Sequence, residues 1–284
     1  MSGVLDRRGF LRLVAAAAGV TACTPRLGRR DTGPPRAVER IAYGPADSNV
    51  GELRLPDGPG PYPVAVLLHG GYWQTRFGAD YMTPLAEALT HEGFATWNVE
   101  YRRIGEDGGG YPGTFEDVTA ALEIVPRLAS GRLDLARVTS MGHSSGGQLA
   151  LWLASAARMR LARSPDPVRV ARVVAVSPVT DLRRLGDGGS SPVLALVGTP
   201  ASERSARYAE ISPIELVPLG VPQVVLHGTA DWLVPIAMSE RYVDAARARG
   251  DDATLVPLAG LGHIEPADPT STAWPSLLAG ARVA

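Results

Sequence analysis

Three side chains in this chain could combine into a nucleophilic centre: a serine held in a glycine-bounded turn, a histidine and an aspartate. Ser144 stands at the middle of Gly142-His143-Ser144-Ser145-Gly146. A serine hydroxyl is a poor nucleophile until an imidazole can take its proton. The imidazole in turn needs a carboxylate to fix its tautomer and stabilise its charged form. Five histidines are available. His69 and His143 lie inside turn motifs, where bracing a loop is the expected role; His91 ends a solvated helix, and His227 ends a strand and supports the loop after it. That leaves His263, in a Gly-rich loop after the final predicted strand, from which a base can reach back to the serine. Two aspartates compete for the carboxylate. Asp231, in Leu226-His227-Gly228-Thr229-Ala230-Asp231, is favoured because its strand-to-loop setting aims it at the last loop. Asp181 follows the preceding strand and reads more simply as a helix N-cap.

Acyl transfer also needs donors for the oxyanion that exist before the charge develops. Ser145 supplies a backbone N–H at the start of a helix. The others are expected from His69-Gly70-Gly71-Tyr72-Trp73, through the N–H groups of Gly71 and Tyr72, with the glycines allowing the backbone close to a substrate carbonyl. Trp73 and Trp232 flank these positions and are candidate pocket walls, with core filling as the alternative role; Trp152 is expected in the core. No His/Cys/Asp cluster has metal-ligand spacing, so neither metal nor cofactor is expected.

The elements that must position these groups follow from hydropathy patterning. Val38 to Tyr43 and Gly51 to Leu55 alternate as an antiparallel pair, and Val64-Ala65-Val66-Leu67-Leu68 is a run suited to a strand buried on both faces. Helices are predicted over 81–91, 115–128, 145–157, 236–249 and 273–279, and strands over 94–99, 137–141, 170–176, 222–226 and 253–257. Repeated βα units imply an α/β fold with a mostly parallel, doubly wound sheet and helices on both faces. In such sheets reactive groups collect at the carboxyl ends of the strands. Residues 177–220 are too long for a simple connection and are expected to form a small cap.

The chain has 284 residues, 45% hydrophobic and 20% charged, which suits one sizeable domain over 38–284. Its net charge of -1 argues against a nucleic-acid partner. Every basic residue is Arg, so no lysine is available for Schiff-base or Ser-Lys chemistry. Asp6-Arg7-Arg8-Gly9-Phe10-Leu11-Arg12 precedes an apolar run from Leu13 to Val20 that is too short to span a bilayer. Arg-Arg-x-Phe-Leu resembles a twin-arginine export signal, and Val20-Thr21-Ala22-Cys23 resembles a bacterial lipobox. Residues 1–23 are therefore expected to direct export, with Cys23 lipidated, and 24–37 to act as a flexible tether to the membrane. Simple cleavage of the signal is the alternative. Cys23 is the sole cysteine, so no intrachain disulfide is available.

The Gly-x-Ser-x-Gly elbow, the His-Gly-Gly loop before it and the order Ser144, Asp231, His263 together resemble the α/β-hydrolase superfamily, from Val38 onward. Within it, His69-Gly70-Gly71-Tyr72-Trp73 is similar to the loop of kynurenine formamidases and their esterase relatives. Tyr101-Arg102, Tyr111-Pro112 and Asp117 resemble a stretch these share with the hormone-sensitive-lipase group. Gly146-Gly147 and His227-Gly228-x-x-Asp231-x-x-Val234-Pro235 resemble the catalytic domain of prolyl oligopeptidases, without their large N-terminal domain. The resemblance implies a serine hydrolase of carboxylic esters, with an aryl formamide as a further substrate class. A small exopeptidase or amidase is the rival enzyme reading, and an inactive hydrolase-fold binding protein the rival outside enzymology. The expected partner is a small ester or amide; oligomeric state is not read from the sequence.

Overall fold

The computed structural model describes residues 28, 37–129, 131–199 and 203–282. The expected export signal, Cys23 and the expected tether lie outside these residues, apart from Gly28, whose N–H donates to Asp268 Oδ2 at 2.8 Å, and Ala37.

Alternation along β3 (Tyr62–Leu68) organises the core. Val64, Val66 and Leu68 enter one apolar cluster, Ala65 and Leu67 the other, as the two-residue period of a strand requires. Both sides are covered, which explains the unbroken apolar run. On the first face lie α2 (Gly113–Glu123), α4 (Ser145–Ala154) and α9 (Ala237–Ala248). On the second lie α1 (Thr83–His91) and α10 (Trp274–Ala281), contributing Leu85, Leu89, Trp274 and Leu277.

The remaining strands are β1 (Val38–Ala42), β2 (Val50–Arg54), β4 (Ala95–Val99), β5 (Leu133–His143), β6 (Arg172–Val176), β7 (Gln223–Gly228) and β8 (Ala253–Leu258). They form one eight-stranded sheet in the order β1-β2-β4-β3-β5-β6-β7-β8. β2 runs antiparallel to both neighbours and all later pairings are parallel. Register aligns the carboxyl ends: Leu68 pairs with Gly142, His143 with Val176, Val176 with Leu226, and Gly228 with Leu258. The residues that leave these strands therefore emerge side by side along one edge.

The single helix predicted over 115–128 is two, α2 and α3 (Val125–Leu128), parted at Ile124. Pro126 has no N–H for the carbonyl one turn back, so the α-helical ladder cannot continue through it. The stretch 177–220 carries short helices: α5 (Leu182–Asp187), α6 (Ser191–Val197), α7 (Arg204–Ile211) and α8 (Pro213–Leu216). They are packed, not loose. Val193, Leu196, Tyr208 and Ile211 are buried in the first cluster, and the Trp152 indole of α4 donates to Glu210 O at 2.9 Å.

Candidate active site

Ser144 occupies φ 56°, ψ -119°, between the last residue of β5 and the first of α4. A non-glycine residue in such a conformation costs about 1–3 kcal/mol and persists only where its surroundings over-determine it. Here they do. The Ser144 N–H donates to Val176 O at 2.8 Å, and the flanking glycines admit no side chain. A Cβ on Gly142 would stand 2.1 Å from Gly146 O, and one on Gly146 2.1 Å from Leu68 O. The turn thus presses α4 against the end of β3 and leaves the serine at the apex, 6% exposed.

The loop after β3 lies directly over this apex. A Cβ on Gly70 would meet His143 O at 2.9 Å and Ser144 Cβ at 3.2 Å. Gly71, Tyr72 and Trp73 follow at φ 112°, 58° and 56°, three successive positive values that turn the backbone sharply. Among the described residues no protein group accepts from the N–H of Gly71, Tyr72 or Ser145. The Tyr72 phenol is pushed up to about 12 by burial; Arg76 opposes this, and the nearby Asp231 charge adds to it.

Asp231 and His263 come together as the spacing of their loops requires: Nδ1 of His263 lies 2.6 Å from Asp231 Oδ2. The other carboxylate oxygen accepts from the N–H groups of Leu233 at 2.9 Å and Val234 at 2.8 Å. Burial alone would raise the carboxyl's pKa. The hydrogen bonds from His227 and His263 outweigh it and hold the group well below the ordinary carboxylate range. Asp181, the rival acid, caps α5 instead, accepting from the Arg184 N–H at 3.0 Å.

The two tryptophans part company. Trp232, beside Asp231, is 63% exposed. Trp73 is 1% exposed and lies in the core, so the expectation that it walls an open pocket is corrected. Its positive φ turns the ring inward, where Nε1 donates to Gln148 Oε1 at 3.1 Å. A groove of about 990 Å³ opens at the opposite, amino-terminal edge of the sheet, near Leu135, Val168 and Ala171, and contains none of the sequence-predicted site residues. Among the described residues no cluster of three or more His, Cys, Asp or Glu could hold a metal ion.

The family described as BD-FAE matches residues 53–245, well over half of the chain. The chain belongs to the BD-FAE family. A probable carboxylic ester hydrolase, LipM of Mycobacterium tuberculosis, is 29% identical over 66% of the chain and 46% of its own length. The chain spans less than half the length of the curated relatives it matches. A truncated carbohydrate esterase from gut microbiota superposes with a TM-score of 0.74 at 21% identity, covering 90% of this chain and 98% of that one. Thermogutta terrifontis esterase 2, phosphonylated by sarin, gives 0.72 at 20% identity over 88% and 94%. The fold is that of the α/β hydrolases, which these esterases share.

Several further residues of this BD-FAE chain brace the site: His69, His143, Tyr101, Arg102 and Asp117, which the sequence motifs singled out, and Glu100 and Tyr81, which they did not. Glu100 follows β4, whose Val99 pairs with Leu68, so it meets the residue after Leu68. Its carboxylate lies 2.8 Å from His69 Nε2, accepts from the Ala79 N–H at 3.0 Å and from Arg103 Nη1 at 3.1 Å. Tyr101 stacks on the His69 ring at 4.3 Å and donates its hydroxyl to His69 O. The Arg102 guanidinium takes both oxygens of Asp117, at 2.7 and 2.8 Å. His143 links elbow to last loop: Nε2 lies 2.8 Å from His263 O and Nδ1 3.2 Å from the Tyr81 hydroxyl. Burial, with the neighbouring His263, lowers its pKa to about 3, so His143 is neutral and its Nε2–H donates to that carbonyl. Glu100 carried no motif of its own, because its pairing with His69 arises only where β4 lies beside β3.

Proposed function

We propose that this protein is a serine hydrolase of carboxylic esters. The observation that carries the reading is the Asp231–His263 pair at 2.6 Å on the strand edge that presents Ser144. In this mechanism Ser144 Oγ attacks the ester carbonyl while Nε2 of His263 takes its proton. Asp231 holds Nδ1–H and stabilises the imidazolium. The oxyanion forms at the N–H groups of Gly71, Tyr72 and Ser145, which no protein group among the described residues takes up and which are donors fixed in the backbone before charge develops. His263 then protonates the leaving alcohol. Water, deprotonated by the same imidazole, attacks the acyl-enzyme and releases the acid and Ser144.

Membership of the BD-FAE family and the likeness to esterases support an ester as substrate. The carbohydrate esterase among the neighbours, and the exposed indole of Trp232 beside the proposed acid, support an ester carried on a sugar. The formamide reading rests on the His-Gly-Gly-Tyr-Trp loop, but buried Trp73 gives that pattern a packing reason that is independent of substrate. We further propose export and lipidation at Cys23, on the sequence pattern of residues 6–23. A Cys23→Ser variant should then leave the membrane fraction; continued membrane association would refute the anchor.

A fluorophosphonate probe should label the protein at Ser144, and Ser144→Ala should abolish labelling. Labelling at another residue, or persisting in that variant, sinks the proposal. A panel of p-nitrophenyl esters, acetylated sugars, N-formylkynurenine and aminoacyl anilides then separates ester, formamide and peptide preference.

A further inference from the structure

The proposed catalytic carboxylate has a fourth donor. Oδ2 of Asp231 is shared between Nδ1 of His263 at 2.6 Å and Nε2 of His227 at 3.2 Å. The same Nε2 lies 2.7 Å from Val234 O, and Nδ1 of His227 lies 2.7 Å from the Ser239 hydroxyl on α9. The side chains of His227 and Asp231 are fully buried. Nε2 of His227 thus faces two oxygens, a carbonyl and an ionised carboxylate, and neither can donate. The proton must sit on that nitrogen. Nδ1 is then free to accept from the Ser239 hydroxyl, which gives both ring nitrogens a partner.

We propose that His227 is a positioning residue for the Asp231–His263 pair, with Ser239 selecting its tautomer. Its Nε2–H is held by the Val234 carbonyl and set 3.2 Å from the carboxylate oxygen, and with the Leu233 and Val234 amides it hinders the carboxylate from rotating away from His263. It also draws charge from the oxygen that His263 uses. A hydrogen bond to the charged form lowers a carboxylate's basicity. Without His227, Asp231 becomes a stronger partner for the imidazolium, which then keeps its proton to higher pH. The inference rests on the triad reading above but makes a separate claim about which nitrogen carries a proton and what that proton does.

Two measurements on the full protein test it. In ¹⁵N-histidine-labelled wild type, the ring shifts of His227 should place its proton on Nε2; a proton on Nδ1 alone overturns the proposal without touching the triad. In steady-state kinetics on a p-nitrophenyl ester, His227→Leu should lower kcat about tenfold, the loss expected for one charge-assisted hydrogen bond, with KM within about twofold. The acid limb of its kcat/KM profile should move to higher pH. His227→Gln, which keeps an N–H donor, should restore the limb, and Ser239→Ala should shift it the same way by less. These two variants decide the matter if the leucine variant does not fold. An unmoved limb, a shift to lower pH, or no rescue by Gln overturns the role of His227. Near-normal turnover in Asp231→Asn would instead overturn the triad.

Discussion

At the scale of single residues, the site is a set of groups whose donors and acceptors are matched before any substrate arrives. Asp231 receives N–H groups at both oxygens and stays ionised, the state in which it can hold His263 in one tautomer. An amide there would present its own N–H to Nδ1 and force the wrong tautomer. Asp231→Asn should therefore cut kcat by about 10⁴ with the fold intact, read by ester turnover beside circular dichroism. Asp181→Asn should keep near-normal turnover, since Asp181 serves a helix end. Trp232 presents the opposite case. Its ring is exposed and enters neither apolar cluster, so Trp232→Ala should change stability by less than about 0.5 kcal/mol while raising KM for bulky or ring-bearing esters more than for acetate esters. Equal KM changes across the panel would remove Trp232 from the substrate rim.

Elements matter through their ends. Parallel pairing from β4 across to β8 brings the carboxyl termini of the central strands to one edge, and each functional group leaves within a few residues of its strand. The elbow between β5 and α4 is the tightest join. Gly146→Ala would set a methyl 2.1 Å from Leu68 O, a backbone atom that cannot swing aside. The variant should lose at least about 1–3 kcal/mol in urea unfolding and lose activity with it; wild-type stability and turnover would show that the elbow yields. The loop after β3 is tied down differently. Trp73, Gln148 and Ile211 O form a chain of hydrogen bonds from the loop after β3, the proposed oxyanion loop, to α4 to the inserted helices. Trp73→Phe keeps an aromatic ring but strands the buried Gln148 Oε1, at a cost of about 1–3 kcal/mol. The same variant should lower kcat by loosening Tyr72, whose strained backbone immediately precedes it.

For the molecule as a whole, these buried polar groups make stability depend on pH. His143 is neutral in the folded state, with its pKa lowered to about 3 by burial and the adjacent His263. An unfolded histidine takes a proton near pH 6.5. Between these values the unfolded chain binds more protons than the native one, so the contribution of this group is complete above about pH 6.5 and drains away as pH falls towards 3. Asp231 acts in the same direction lower down, because its depressed carboxyl favours the folded state only while it is ionised. Urea unfolding between pH 7 and 4 should show stability declining by up to about 1.4 kcal/mol per pH unit from His143, with Asp231 adding its share only below about pH 4. In His143→Asn the decline should be shallower, even if stability at pH 7 is lower. An equal slope in both proteins would mean that His143 is already charged when folded.

Much of this was legible from residues alone, wherever the reason is local. The elbow is legible because its Gly-x-Ser-x-Gly spacing lies within five residues, although the atom that bars a side chain at Gly146 is Leu68 O on β3, and the buried strands are local because a two-residue period and a βα rhythm need no partner to be recognised. The choice of His263 followed from where loops must emerge once the sheet is parallel. The structure decided matters set by packing between distant segments. It put Trp73 inside and Trp232 outside, though both flank site residues, because a positive φ at Trp73 rolls its ring toward Gln148. It linked His143 to the last loop across 120 residues and set the ring of His227 against the proposed acid four residues on, in contacts that their residue types alone do not specify. Chemical types and their order can be read along a chain. Which nitrogen faces which oxygen depends on three-dimensional contacts, and only the tertiary structure supplies them.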